Sequence, residues 1–252
     1  MRRDFLKSFS RLLVLIFALF GSSASAYKIT FDHLVRFHGI QYKADMYTYG
    51  RDPLPTDLGP EFGRVTCDIV KLYTLAPGSF EPTAESDKAI KRCLEQEGGA
   101  SSIDVSTPVY TMRAYRPEYR LAARVGDRWI IFYATENPRA KVGADMLDLE
   151  KKVARITLSL DSSARARNQW SSKNVESVSQ VENITRMMLT APIMKQPSMT
   201  AGASRFRYWI TLWFKDGTAQ GLAYFPDTGW LNPGIQMPQE FRRLVEEQLP
   251  PN

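Results

Sequence analysis

Residues 205–225 constrain the fold of this chain more than any other stretch. Residues 205–215 read as a strand, Asp216-Gly217 as a type I′ turn, and residues 218–225 as the returning strand. Counting out from a two-residue turn pairs Trp213 with Gln220, Thr211 with Leu222 and Trp209 with Tyr224. Phe206, Tyr208, Ile210, Leu212 and Phe214 then share one face, opposite the small residues Ala219, Gly221 and Ala223. That face is the expected core, because large side chains of one strand find room beside small ones of the next. The second face carries Arg207, Trp209, Thr211, Trp213 and Lys215, joined by Gln220, Leu222 and Tyr224.

The hairpin belongs to a larger unit. Over residues 152–160, Ala154, Ile156, Leu158 and Leu160 alternate with polar or smaller residues, the period of a half-buried strand. Val178, Val181, Ile184 and Met188 recur at helical spacing, which predicts an amphipathic helix over 175–190. Residues 190–204 read as a long loop. After the hairpin, Pro238 opens a helix through 249, with Phe241, Leu244, Val245 and Gln248 along one side. The order β-α-β-β-α predicts a small antiparallel sheet with helices on one face.

The first half reads as short strands. Residues 33–37 and 40–44 flank His38-Gly39 as a hairpin. Residues 50–63 hold three prolines and three glycines and read as a loop, followed by a strand over 64–72. Residues 83–96 form a helix capped by Thr83 and stopped by Gly98-Gly99. Strands follow over 108–114, 119–124 and 129–134, the last two joined through Gly126-Asp127. The fold class is α+β: a strand-rich N-terminal domain over 27–136 with a helical insert, a linker over 137–148, and the α+β C-terminal domain over 149–252.

Residues 1–26 read as a cleavable signal peptide. Arg2, Arg3 and Lys7 make a basic start, residues 12–20 (LLVLIFALF) an unbroken apolar run, and Ala24-Ser25-Ala26 a cleavage site after Ala26. The apolar run is shorter than the roughly 20 residues a spanning helix needs, although an uncleaved anchor is the alternative reading. Arg2-Arg3-Asp4-Phe5-Leu6-Lys7 fits a twin-arginine address, and the strongly apolar run fits the general secretory route equally. The first cysteine is Cys67, so no lipid-anchor cysteine lies near the cleavage site. Of the net charge of +6, the leader carries +3 (Arg2, Arg3, Lys7 and Arg11 against Asp4). The remaining excess is too dispersed for nucleic acid and is compatible with an anionic envelope polymer.

Cys67 and Cys93 are the only cysteines. In an oxidising compartment they are expected to pair, closing a loop of about 27 residues worth about 3 kcal/mol in the chain-entropy account; two free thiols are the alternative. Catalytic constellations are sparse. His33 and His38 fall on opposite faces of a strand and want further ligands, so no metal is assigned. No Gly-x-Ser-x-Gly elbow or phosphate-cradling loop occurs, and no catalytic residue or cofactor is assigned. Asp145, Asp148 and Glu150 form a clustered acidic segment of the kind usually solvated, and their spatial separation is not readable from sequence. Asn183-Ile184-Thr185 falls inside a predicted helix and is read as a chance sequon.

One feature suggests chemistry. Arg207, Trp209, Thr211, Trp213, Lys215, Gln220 and Tyr224 interleave rings, cations and hydrogen-bonding groups, which suits a glycan or an anionic polymer. The competing explanation is that the tryptophans pack against the first domain or a neighbouring helix.

Several short stretches resemble a group of exported proteins of unknown function, often lipoproteins, from Gram-positive bacteria. They are Phe37-His38-Gly39-Ile40-Gln41-Tyr42, Leu58-Gly59, Gly63-Arg64-Val65, Thr107-Pro108-Val109-Tyr110 and Arg120-Leu121-Ala122-Ala123-Arg124 in the first half. In the second they are Leu189-Thr190-Ala191-Pro192, Lys215-Asp216-Gly217-Thr218 and Gly229-Trp230-Leu231. The chain departs from that group in lacking the lipobox cysteine and in its cysteine-bearing helix. The resemblance implies an envelope or secreted location and an accessory role. The expectation is therefore an exported, non-catalytic protein that binds an envelope component or a partner protein, with no nucleic-acid partner and no transmembrane anchor once the leader is removed. A carboxylate-dependent hydrolase of an envelope glycan is the alternative.

Overall fold

The first hairpin forms around two residues in an unusual conformation. Strand β1 (Leu34–Phe37) pairs antiparallel with β2 (Ile40–Ala44), and His38 and Gly39 between them have φ of 51° and 76°. Two consecutive positive φ values are what a type I′ turn requires. The computed structural model describes residues 32–44, 50–73, 83–161, 172–194 and 207–249. The leader, its cleavage site at Ala26, hairpin residues 205 and 206, and most of the loop over 190–204 lie outside the described residues.

Two of the sequence boundaries are corrected in the next segment. Within the glycine- and proline-rich stretch, a short 3-10 turn (Pro55–Asp57) leads into strand β3 (Leu58–Arg64). Pro60 is tolerated because β3 is the edge of its sheet, where a missing donor breaks no ladder, and its pairing is already interrupted by two register shifts. The strand expected over 64–72 is instead β4 (Cys67–Asp68) followed by one helical turn, α1 (Ile69–Leu72). The Asp68 carboxylate accepts the Val70 N–H at 3.1 Å and so caps the turn.

Helix α2 (Ala84–Glu95) follows, with the Thr83 hydroxyl accepting the Ser86 N–H at 3.1 Å. Cys67 and Cys93 form a disulfide with a Cα–Cα distance of 5.9 Å, tying α2 to β4. Strands β5 (Gly99–Ser101), β6 (Pro108–Met112), β7 (Arg120–Val125) and β8 (Arg128–Glu136) complete an eight-stranded sheet in the order β3-β6-β7-β8-β2-β1-β5-β4. Only the β4–β5 pairing is parallel among those described.

The second sheet holds β9 (Val153–Asp161), β10 (Ser172–Val175), β11 (Arg207–Phe214), β12 (Ala219–Phe225), β13 (Trp230–Leu231) and β14 (Ile235–Gln236). Their order is β10-β9-β11-β12-β13-β14, all antiparallel. Helices α3 (Val178–Thr190) and α4 (Gln239–Gln248) supply Ile184, Met188, Phe241 and Val245 to the core, and the Phe241 ring meets Tyr224 edge-on at 4.9 Å. The fold is mixed α+β and mostly sheet.

The hairpin register differs from the sequence count by one residue. Trp213 lies opposite Ala219, Leu212 opposite Gln220, Ile210 opposite Leu222 and Tyr208 opposite Tyr224. The loop has three residues, Lys215-Asp216-Gly217, closed by Phe214 N–H to Thr218 O at 2.9 Å and Gly217 N–H to Phe214 O at 3.0 Å. Gly217 takes φ +83°, as the left-handed third position of such a loop demands. The Asp216 carboxylate holds the loop shut, accepting the Thr218 N–H at 2.9 Å and the Thr218 hydroxyl at 2.6 Å. Because the side-chain period is 2, one residue of slip moves Gln220, Leu222 and Tyr224 to the core face and Ala219, Gly221 and Ala223 to the other.

A single cluster of buried apolar side chains runs from Val35 to Leu249, inside one compact unit over Phe31–Asn252. Residues 137–148 contribute to it: a 3-10 turn (Gly143–Asp145) is followed by Met146 and Leu147, each 1% exposed. Among the described residues, no helix is long and apolar enough to cross a membrane.

Candidate functional site

The surface with the most varied chemistry is the face of the second sheet opposite the helices, together with the groove beside it. Strand parity sets the face. Arg155, Thr157 and Ser159 of β9 lie opposite Trp213, Thr211 and Trp209 of β11. Arg207 continues the same row. The Arg155 guanidinium stands 4.4 Å from the Trp213 ring centroid, and the Arg207 guanidinium 5.1 Å from that of Trp209. The Trp213 indole N–H donates to the Thr157 hydroxyl at 2.9 Å, which donates to the Asn174 side-chain oxygen at 2.8 Å. Both rings are half-buried and held in place by these neighbours.

The structure divides the seven residues read as a ligand-binding face. Arg207, Trp209, Thr211 and Trp213 share the outer row, with Thr211, between the two tryptophans along the strand, buried. Lys215 is exposed in the hairpin loop. Gln220 and Tyr224 sit on the core face, a correction that follows from the register: Gln220 accepts the Tyr119 hydroxyl at 2.7 Å while still lining the cavity beside Trp209, and Tyr224 packs on Phe241.

The first sheet wraps the edge of β12 that β13, paired only at Tyr224 and Phe225, leaves open. The Tyr119 hydroxyl reaches its helix-covered side, the Tyr133 hydroxyl donates to the Ala219 carbonyl at 2.8 Å, and Lys43 and Thr135 approach its outer side. There, Lys43, Thr135, Arg207, Trp209, Asn232 and Pro233 line a cavity of about 250 Å³. It adjoins a larger one of about 730 Å³, which shares Lys43, Thr135, Asn232 and Pro233 and adds Arg36, Gln41, Asn137 and Trp230. Sequence reading passed over this second wall. Its signal was the alternation of Arg36, Gln41 and Lys43 with buried Val35, Phe37 and Tyr42 along the first hairpin.

The strongest electrostatics lie at the hairpin tip and serve to join the sheets. Arg120 is fully buried, donates to Asp216 at 2.8 Å and to the Thr218 hydroxyl at 3.0 Å, and lies 3.0 Å over the Tyr115 ring. The Tyr115 hydroxyl donates to the same Asp216 carboxylate at 3.0 Å, and Arg51 donates to the Asp216 backbone carbonyl at 2.7 Å. Burial pushes the Asp216 carboxyl up, but the Thr218 hydrogen bonds, Arg120 and Tyr115 together hold it below its ordinary value. Burial likewise raises the Tyr115 phenol, which stays protonated as a donor. An ionised carboxylate enclosed by these donors is a latch and is poorly placed to give or take a proton.

The other candidate groups are engaged locally. Asp145 accepts the N–H groups of Lys141 (2.8 Å) and Val142 (3.1 Å), which hold its carboxyl below the ordinary value. Asp148 accepts the Arg116 N–H at 2.8 Å and pairs with Lys152, while Glu150 is exposed. The His33 ring bonds Ser102 O at 3.0 Å, and the His38 ring packs at a tilt against Phe62, centroids 4.8 Å apart. Among the described residues, no group of three or more His, Cys, Asp and Glu is placed to hold a metal ion. Comparison with protein-family models, with curated proteins and with solved structures returns no match.

Proposed function

We propose that this is an exported, non-catalytic protein that binds an anionic or glycan component of the cell envelope, or a partner protein, through the arginine–tryptophan row of its second sheet. The observation that carries the reading is the pair of stacked couples, Arg155 on Trp213 and Arg207 on Trp209, on the sheet face opposite the helices. Rings offer a stacking surface to sugar faces, and the guanidinium groups pair with anions. The Cys67–Cys93 disulfide is compatible with an oxidising compartment. The leader-like residues 1–26 supply the argument for export.

The test is co-sedimentation of the purified chain lacking residues 1–26 with isolated envelopes at low and high salt. Wild type is compared with Trp209→Ala/Trp213→Ala, checked for folding by circular dichroism. The expected result is that wild type pellets, more at low salt, and the folded variant stays in the supernatant. Equal pelleting of the two, or none by either, overturns the reading. If the double variant does not fold, Arg155→Gln/Arg207→Gln makes the same comparison with the rings left in place.

A further inference from the structure

The larger cavity at the sheet junction has two unlike walls. One is the outer side of β1, β2 and β8; the other is apolar and holds Ile193, Met194, Trp230 and Pro233. On the first wall Arg36 lies opposite Gln41, and Gln41 opposite Glu136, so the three form one cross-strand row. All three line the cavity.

The charges of that row are open. Among the described residues, neither Arg36 nor Glu136 has an ion pair or a side-chain hydrogen bond, although Arg36 is half-buried. Lys43, the other ionised group in the lining, is paired with Asp32. The groove thus offers one free cation and one free anion. A half-buried guanidinium without an anion is desolvated without compensation, and a carboxylate entering beside it offsets that cost. A purely anionic ligand would bring its charge against Glu136, and a purely cationic one against Arg36. A zwitterion meets both.

The spacing sets the length of such a ligand. Neighbouring strands stand about 4.8 Å apart, so Arg36 and Glu136, with one strand between them, are roughly 10 Å apart at their backbones. In a single amino acid one carbon separates the amine from the carboxylate, far short of this. An extended peptide advances about 3.3–3.6 Å per residue, so about three residues span the gap. Hydrogen-bonding groups for the peptide units lie between and beside the charges. Gln41 donates its amide to the Thr135 hydroxyl at 3.4 Å and keeps its side-chain oxygen open, and the Asn232 amide has no partner among the described residues. The apolar wall suits the peptide's side chains. The volume, about 730 Å³, lies within the roughly 300–1,000 Å³ of ordinary ligand clefts.

We infer that this groove binds a short peptide with both termini free, about three residues long, its carboxylate on Arg36 and its amine on Glu136. The inference goes beyond the arginine–tryptophan reading and uses no residue of that row.

The test is isothermal titration calorimetry of the chain lacking residues 1–26 with alanyl-leucyl-alanine in three forms: both termini free, amine acetylated, or carboxylate amidated. The free form is expected to bind, and each capped form to bind at least about tenfold more weakly, the scale of one charge-assisted hydrogen bond. Arg36→Gln is expected to lose about tenfold for the free peptide and nothing for the amidated one, because that cap has already removed its partner. Glu136→Gln is expected to show the matching pattern with the acetylated peptide. Arg124→Gln, an exposed cation outside the groove lining, is expected to change nothing. No binding of the free peptide, equal binding of the capped forms, or an Arg36→Gln loss as large for the amidated peptide as for the free one overturns the inference. Should Arg36→Gln fail to fold, Glu136→Gln, at an exposed position, decides by the same comparison with the acetylated form. The envelope test alters the row and this one alters Arg36 and Glu136, so each reading falls on its own experiment and leaves the other standing.

Discussion

Asp216 does two jobs at once. Its Oδ1 closes the hairpin loop through Thr218, and its Oδ2 receives Arg120 and Tyr115 from the first sheet. Removing one member of a buried pair leaves an uncompensated charge, so Asp216→Asn is expected to lower stability by about 3–5 kcal/mol in urea denaturation. Arg120→Met combined with Asp216→Asn is expected to recover part of that loss, because the stranded guanidinium goes too. A further gain of damage in the double variant would show that the pair is not coupled as drawn. The sign of the pH dependence follows from the same carboxylates. The hydrogen bond and charge of Arg51 lower Asp57, and Asp216 is also lowered, so both are more readily ionised when folded. Their contribution is present above the ordinary value of 3.8 and is lost as pH falls below it through the folded values. The urea midpoint should therefore drop in that acid range, and Asp57→Asn should start lower at pH 6 but fall less steeply.

At the scale of an element, the hairpin of β11 and β12 shows how one turn residue sets a whole surface. A two-residue turn would put Gln220 and Tyr224 beside the tryptophans; the three-residue loop puts them in the core. Gly217 is the residue that permits it, at φ +83°. Gly217→Ala is expected to cost about 1–2 kcal/mol, the penalty of the left-handed region for a residue with a Cβ. A loss well below that, read from the urea midpoint, would mean that the loop relaxes into another turn. The β3 edge strand teaches a similar lesson, since proline and glycine mark a loop only where the ladder needs every donor.

For the molecule as a whole, the apolar cluster from Val35 to Leu249 gives both sheets a common core. One cooperative unfolding transition is expected for the chain lacking residues 1–26, with tryptophan fluorescence and far-ultraviolet circular dichroism coinciding. Two separated transitions would show that the halves unfold independently. Reducing Cys67–Cys93 is expected to shift that transition downward by about 3 kcal/mol, because the reduced chain regains the freedom of the loop it closed. What the sequence determined by itself was local: the mixed α+β class, the β1–β2 turn at His38-Gly39, the Thr83-capped helix, and the period-2 strands of the second half. These follow from side-chain periodicity and turn chemistry, which act over a few residues. The Arg207, Trp209 and Trp213 row was legible for the same reason. Its partners Arg155 and Lys43, the groove wall at Arg36 and the Arg120–Asp216 latch lie far away in the chain. The hairpin register, too, depended on how the half-buried Asp216 carboxylate closed its loop. Those features were decided only by the tertiary structure, because contacts between distant strands leave no period in the sequence, and a one-residue slip reassigns every side chain on a strand.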